Sequence, residues 1–300
     1  GTDFDVLSNS SNGKISGDAS PSIQESNQPW FIDLAEALEE NKENFVSKTV
    51  IDVPAGNGFT SEYLHQIGAK TLPFDIFPQY FKVDDLSCAY ADILKGIPVE
   101  KNTADFLICQ EGIEHFSDQF KVLTEFNRVL KPGGKLIITT PNYSGLRSRM
   151  SYFLSESEHF KKIMPPNEFD SVWMNSPDTE NDIYFGHLFL IGASRLRTLA
   201  KLAGFKLVKS HDCEQNGTSI LLYFLFFKFI YLANLRLWKR NKRKAKNNPE
   251  QLKTYRELFE LNTSYQILTQ GHLFFEFEKE MEYDEVMKSL KSVHEGFGRT

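Results

Sequence analysis

The chain has 300 residues, 41% of them hydrophobic and 25% charged, with a net charge of −6. This is the balance of an ordinary soluble protein with enough material for one large core or two small ones, and the acidic excess argues against general affinity for nucleic acid. Three scattered cysteines (Cys88, Cys109, Cys213) exclude a disulfide framework or a cysteine-bound zinc, and suggest a reducing, cytoplasmic setting. Phenylalanine is over-used at 26 residues, which fits deep apolar pockets or a partly exposed apolar surface. No secretory leader is legible, and Gly1 reads as a remnant of processing, which leaves a removed leader open.

Residues 1–28 are rich in Ser, Asn, Gly and Asp and have no sustained period, so they are expected to stay mobile without a partner. From Trp30 the spacing of Phe31, Leu34, Ala35 and Leu38 predicts a helix packed beside the first strand. Thr49-Val-Ile-Asp52 reads as that strand. The turn Pro54-Ala-Gly-Asn-Gly58 follows, and then a helix from Thr60 to about Ile67. Strand-like pieces recur at 70–75, 91–94, 105–110, 135–140 and 205–208. A helix capped by Ser117 and Asp118, and another capped by Ser194, separate the later ones. His272–Glu278 is a late strand before an amphipathic helix over about 282–293. Such alternation predicts an α/β fold: a Rossmann-like, mostly parallel sheet of seven strands with helices on both faces. The last strand, about 271–279, is expected to run antiparallel. One domain, 29–300, is expected to carry two helical insertions, 142–192 and 216–268, that form a cap.

Strand, glycine turn and helix in this order bring backbone N–H groups close to a ligand. The sequence Asp52-Val-Pro-Ala-Gly-Asn-Gly58 resembles the acidic, glycine-rich signature of class I S-adenosylmethionine-dependent methyltransferases, with Pro54 in place of the first glycine. Glu111-Gly-Ile-Glu-His-Phe116, Arg128-Val-Leu-Lys-Pro-Gly-Gly134, Leu136–Asn142 and the Gly204-Phe205 corner are similar to the small-molecule branch, to which ubiquinone-biosynthesis O-methyltransferases and many glycan-modifying enzymes belong. The resemblance covers about residues 30–211. It implies S-adenosylmethionine as cofactor, leaving S-adenosylhomocysteine, and a small-molecule acceptor.

On this resemblance Gly56 and Gly58, with Pro54, Ala55 and Asn57, let the turn approach the cofactor, while Asp52 orders the turn and accepts from the methionine ammonium. Asp75, 23 residues on and beside Ile76, stands where a carboxylate can take both ribose hydroxyls. Asp92 resembles the adenine-contacting acid, with Ile93 as an apolar wall, and Cys109, Gln110 and Glu111 end the fourth strand at the cleft. A nicotinamide-binding Rossmann enzyme competes for this pattern, but the third glycine of its fingerprint is missing, because Phe-Thr-Ser61 follows Gly58.

A hydroxyl acceptor benefits from a general base, and the candidates are His115 and His187; His115 could equally just hold its loop. No Asp/Asn cluster suggests magnesium, so no metal is expected. The aromatics Tyr143, Tyr152, Phe153, Phe160, Phe169, Trp173 and Tyr184 could line an acceptor pocket or form the cap's own core.

Residues 220–237 are densely apolar, and between Arg236 and Lys246 lie seven basic residues and no acid. On a helix Lys228, Arg236, Lys239 and Arg243 fall within about 80°. Two readings stay open: an interfacial helix on anionic lipid, at the inner face of a membrane, or a lid packed on its own domain or in a homodimer. A catalytically silent cofactor-binding module that docks through the basic 220–246 helix is the alternative to an enzyme.

Overall fold

The computed structural model describes residues 29–157, 165–173, 183–245 and 248–295. The expected mobile segment 1–28 and the candidate aromatic Phe160 lie outside these residues. The described residues form nine strands and nine α-helices. In chain order these are α1 (Pro29–Glu40), β1 (Thr49–Asp52), α2 (Phe59–Gln66), β2 (Lys70–Asp75), β3 (Ala89–Tyr90), β4 (Ala104–Gln110), α3 (Gln119–Val129), β5 (Leu130–Pro141), α4 (Leu146–Ser155), β6 (Val172–Trp173), β7 (Tyr184–Phe185), α5 (Ala193–Leu202), β8 (Phe205–Ser210), α6 (Gly217–Lys244), α7 (Pro249–Thr263), α8 (Tyr265–Thr269), β9 (His272–Lys279) and α9 (Tyr283–Glu295).

Seven strands form one sheet in the order β3-β2-β1-β4-β5-β9-β8. The pairs among β3, β2, β1, β4 and β5 are parallel, and β9 runs antiparallel to both β5 and β8. The single reversed strand is therefore the one expected at 271–279. The sheet is apolar on both faces, as a sheet covered by helices on both sides must be. Leu107, Leu136, Ile138, Phe275 and Phe277 meet Val122, Phe126 and Leu196 of α3 and α5 on one face. Their alternates Ile108, Ile137 and Phe274 meet Leu34, Leu38, Tyr63 and Leu64 of α1 and α2 on the other.

Local chemistry sets the helix ends. Asp118 accepts from the Lys121 N–H (2.9 Å) to start α3. Asn216 and Asn248 do the same for α6 and α7. The expected cap Ser194 lies inside α5 instead. Its hydroxyl donates to Asn262 (3.0 Å), and the Ala193 N–H at the start of that helix is taken by the Ser144 hydroxyl (2.9 Å). A side chain 49 residues away thus does the work expected of a neighbour.

The first insertion is not purely helical, because β6 and β7 pair antiparallel within it. The second is α6, α7 and α8. The two are joined where the Ser219 hydroxyl accepts from the Arg147 N–H (3.1 Å), and where Asn142 donates to the carbonyls of Ile267 and Gln270. One side of α6 packs on α7 and α8 through Tyr231 and Trp238 on Phe259 and Tyr223 on Tyr265. The other side exposes Leu221, Phe224, Leu225, Phe229 and Leu232, with Phe224 at 77% and Phe229 at 70% of full accessibility.

Gly204, between α5 and β8, has φ +98°, and a Cβ there would lie 2.4 Å from the Met281 carbonyl oxygen. Gly204→Ala should therefore lower stability by about 2–3 kcal/mol, read as a reduced urea midpoint at unchanged slope; a midpoint equal to the parent's would refute the steric account.

Candidate active site

The parallel strands end along one edge, and the polar residues at their tips meet there. Asp52 ends β1 and pairs in register with Pro73 of β2 and Ile108 of β4. The chain then turns through Pro54 to Gly58, held by the Val53 N–H on the Ile108 carbonyl and the Ala55 N–H on the Phe74 carbonyl. Gly112 is required beside it, since a Cβ there would lie 2.4 Å from Pro54 Cδ.

Asp75, at the tip of β2, organises the turn. One carboxylate oxygen accepts from the Gly56 N–H and the other from the Phe77 N–H, both at 2.8 Å. Each oxygen keeps a further lone pair for a ligand hydroxyl. Beyond Gly56, whose φ is +55°, a Cβ would meet nothing within 4 Å, so the backbone here faces open space. Gly58 differs from the expectation. A Cβ on it would lie 2.6 Å from Val83 and 2.7 Å from Phe81, so this glycine admits the protein's own side chains. The Lys82 N–H on the Asn57 carbonyl fastens that segment over the turn.

Asp52 is 1% exposed, and its Oδ2 accepts from the Ser61 hydroxyl at 2.5 Å. Burial pushes its carboxyl up to about 7, the Ser61 hydroxyl opposes that shift and the nearby Asp75 charge adds to it. The carboxylate expected to meet a ligand ammonium is thus turned inward, onto α2. Asp92 is engaged locally, by the Leu94 N–H (3.1 Å) and the Lys95 ammonium (3.0 Å), and Ile93 is buried in the core. Ile76, next to Asp75, is half-buried. Cys109 also departs from expectation. Its side chain is fully buried in the sheet core, because alternation along β4 points it away from the tip, so it offers the cleft only backbone.

The tip of β4 concentrates polar atoms without partners. Thr60 donates to Gln110 Oε1 at 2.6 Å, while Gln110 Nε2, Glu111 Oε1 and Glu114 Oε1 are buried and make no hydrogen bond among the described residues. Glu111 also has φ +45°, a left-handed conformation uncommon for a side chain of this kind. Its other oxygen lies 3.5 Å from His272 Nε2 at the start of β9. Burial and the Glu114 charge push the Glu111 carboxyl well above the usual carboxylate range. Burial pushes Glu114 up too, against His115 and the Thr140 hydroxyl that donates to it. Glu114 and His272 were not legible as site residues, although Glu114 lies within a recognised motif.

His115 and His187 come together, with ring centroids 5.0 Å apart. His115 Nδ1 lies 2.9 Å from the Phe185 carbonyl oxygen and 3.1 Å from that of Gly186, so Nδ1 carries the proton and ties β7 to the end of β4. Gln119 reinforces the tie by donating to the carbonyls of Ile113 and Phe189. Phe77 packs on Tyr184, which brings the segment after β2 under the same hairpin. No metal was expected, yet donor atoms of Glu114, His115 and His187 lie within 4.8 Å of one another, a set that could hold a divalent cation.

These residues fit an adenosyl cofactor. Open backbone at Gly56, a carboxylate pinned beside it, and amide and carboxyl atoms at the tip of β4 that no described residue satisfies provide donors and acceptors for a ligand.

Comparison with known proteins points the same way. A family model described as "Methyltransferase domain" matches residues 27–210, more than half of the chain. Among curated proteins, the ubiquinone biosynthesis O-methyltransferase of Xanthomonas oryzae pv. oryzae is 25% identical over 166 residues, covering 49% of this chain and 69% of the relative. The enzyme of the same name from Xanthomonas campestris pv. campestris is 24% identical over the same lengths. Among solved structures, a SAM-dependent methyltransferase from Aquifex aeolicus is 20% identical with a TM-score of 0.43, covering 64% of this chain and 90% of that one.

The buried acids make stability fall as pH rises. Below the ordinary carboxylate value, 3.8 for Asp52, folded and unfolded chains are both protonated and nothing is lost. Between 3.8 and about 7 the unfolded carboxyl is ionised while the folded one holds its proton, so the folded state loses ground across that range and no further above it. In scanning calorimetry Asp52→Asn should show a smaller drop in Tm between pH 5 and pH 8 than the parent; an unchanged drop would mean that Asp52 does not hold its proton.

Proposed function

Since this chain belongs to the methyltransferase-domain family, with S-adenosylmethionine as its cofactor, we propose that it methylates a hydroxyl of a small-molecule acceptor. The observation that carries this reading is the alignment of open backbone at Gly56, the Asp75 carboxylate and the unpartnered atoms of Gln110 and Glu111 along one sheet edge, with two histidines at its rim. O-methylation is the named activity of the curated relatives, and here it is a proposal.

The bound cofactor supplies an electrophilic methyl group on a sulfonium. What remains for the protein is alignment, exclusion of water and handling of one proton. Asp75 and the Gly56 backbone hold the ribose end, and Gln110 and Glu111 offer amide and carboxyl contacts at the methionine end. His115, whose Nδ1 faces the carbonyls of Phe185 and Gly186, is the residue assigned to take the acceptor's proton. His187 stands beside it at the exposed rim. The hairpin β6–β7, tied down through His115 and Gln119, and α4 form the wall that keeps water out.

The protein works, on this reading, in the cytoplasm at the anionic inner face of a membrane. Helix α6 supports that placement: it is 28 residues long, reaches a mean hydropathy of 1.7, and exposes Phe224, Leu225 and Phe229. Its other side packs on α7 and α8, and its end carries Lys239, Arg240, Lys242, Arg243 and Lys244. A one-sided apolar surface next to a cationic end suits a helix lying in the headgroup region. A homodimer through the same surface is the competing occupant.

Calorimetric titration with S-adenosylhomocysteine should give binding that Asp75→Ala weakens at least tenfold. With an acceptor in hand, His115→Asn, which keeps an N–H for the two carbonyls, should reduce kcat by roughly 10²–10⁴ at unchanged cofactor affinity. Cofactor binding without turnover on any small-molecule extract would favour the silent docking module. Sedimentation with vesicles containing anionic lipid should capture the protein and should weaken with salt, whereas a concentration-dependent dimer indifferent to lipid charge would remove the membrane reading.

A further inference from the structure

Past the end of β5, where Pro141 pairs with His272, the chain enters a cavity of about 330 Å³ lined by Tyr143, Ser144, Arg149, Tyr152, Gly192 and Arg195. The chain links it to the site already described, since Thr140, three residues before Tyr143, donates to Glu114, and Pro141 pairs with His272, whose Nε2 is 3.5 Å from Glu111. Two guanidinium groups line it from different helices, Arg149 from α4 and Arg195 from the first turn of α5.

Among the described residues, neither arginine has an acidic partner; the arginines in ion pairs are Arg128, Arg197 and Arg256. Arg149 is half-buried, and burial alone pushes its guanidinium below the usual range, with no carboxylate opposing the shift. Holding the Arg149 charge partly out of water without a counter-charge is unfavourable, and a ligand could supply the missing anion, while Arg195 is exposed and meets the cavity from the solvent side. The planar fork of Arg matches the oxygens of phosphate or carboxylate. Further features agree. The Ser144 hydroxyl accepts from the Ala193 N–H, which leaves its own proton to donate. The N-terminal end of α5 faces the cavity through Gly192 and adds a partial positive charge. Tyr143 and Tyr152 meet edge to face at 6.0 Å and form an aromatic wall.

We propose that this cavity is a subsite for an oxyanion, phosphate ester or carboxylate, carried by the methyl acceptor next to a ring that lies along Tyr143 and Tyr152. The inference rests on the methyltransferase reading for the word acceptor, but not for the anion. The subsite narrows the acceptor class to anionic ring compounds and excludes neutral sugars and neutral phenols as preferred substrates. The anion is anchored by Arg149 and Arg195 while the ring's hydroxyl reaches toward the histidine rim.

The test uses the full chain with phenyl phosphate and benzoate as probes, by calorimetry and thermal shift, in the parent and in Arg149→Gln, Arg195→Gln and the double variant. At least one probe should bind the parent, tenfold or more weakly in each single variant and undetectably in the double. S-adenosylhomocysteine affinity should stay within twofold, which also shows that the variants fold. Equal binding of the probes by parent and double variant, or no binding of either, would overturn the subsite. If S-adenosylhomocysteine fails to bind while arginine-dependent probe binding persists, the methyltransferase reading falls and the anion site stands. A lipid headgroup is the other source of such an anion. Arg149→Gln should leave vesicle capture unchanged, and loss of capture with soluble probe binding intact would overturn the assignment to the acceptor.

Discussion

The grip of the Asp75 carboxylate on two backbone N–H groups is the contact on which the rest of the cleft depends. Gly56 has a positive φ and open space beyond it, so no side chain of its own steadies this point of the turn, which backbone bonds hold at Val53, Ala55 and Asn57. Asp75 does so from the neighbouring strand, and in the same act positions Phe77, which packs on Tyr184 of the hairpin. One charged group accepting two short hydrogen bonds therefore couples the glycine turn, the segment after β2 and the cap. Charge-assisted bonds of this kind are about twice as strong as neutral ones.

Around that grip the protein accumulates carboxyl groups that are reluctant to ionise. Asp52, Glu111 and Glu114 are all held out of water, and Glu111 additionally adopts a left-handed backbone. Replacing buried acids by apolar residues is often neutral or stabilising, so stability alone does not account for them. The unpartnered oxygens of Glu111 and Glu114 at the end of β4 fit a site whose polar groups are completed by a ligand, whereas Asp52 is satisfied by Ser61.

The molecule also separates its charges in space. Acids crowd the sheet edge, two arginines without acidic partners line the adjoining cavity, and the lysines and arginines at the end of α6 form the basic extreme. On the proposed reading these zones correspond to cofactor, acceptor and surface. The link between the last two is physical, because the Ser219 hydroxyl at the start of α6 accepts from the Arg147 N–H on α4, the helix that also carries Arg149.

The seven-stranded, mostly parallel sheet, its reversed strand at 271–279, the glycine turn and the acids at the tips of β1 and β2 were legible from hydrophobic period, turn chemistry and family motifs written in consecutive residues, whereas the strand order was not. The basic, apolar helix was equally plain, although only packing decided that one side lies on α7 and α8 while the other is bare. What the tertiary structure alone decided concerns partners far apart in the chain. Gly58 is covered by Phe81 and Val83, Cys109 turns into the core, Ser144 caps a helix 49 residues on, and His272 meets Glu111. No period or motif constrains such pairs, since which side chains meet depends on how strands and insertions stack once the sheet has closed. The sequence thus determined the scaffold and the class of chemistry, and the folded chain determined which atoms face a ligand and which face one another.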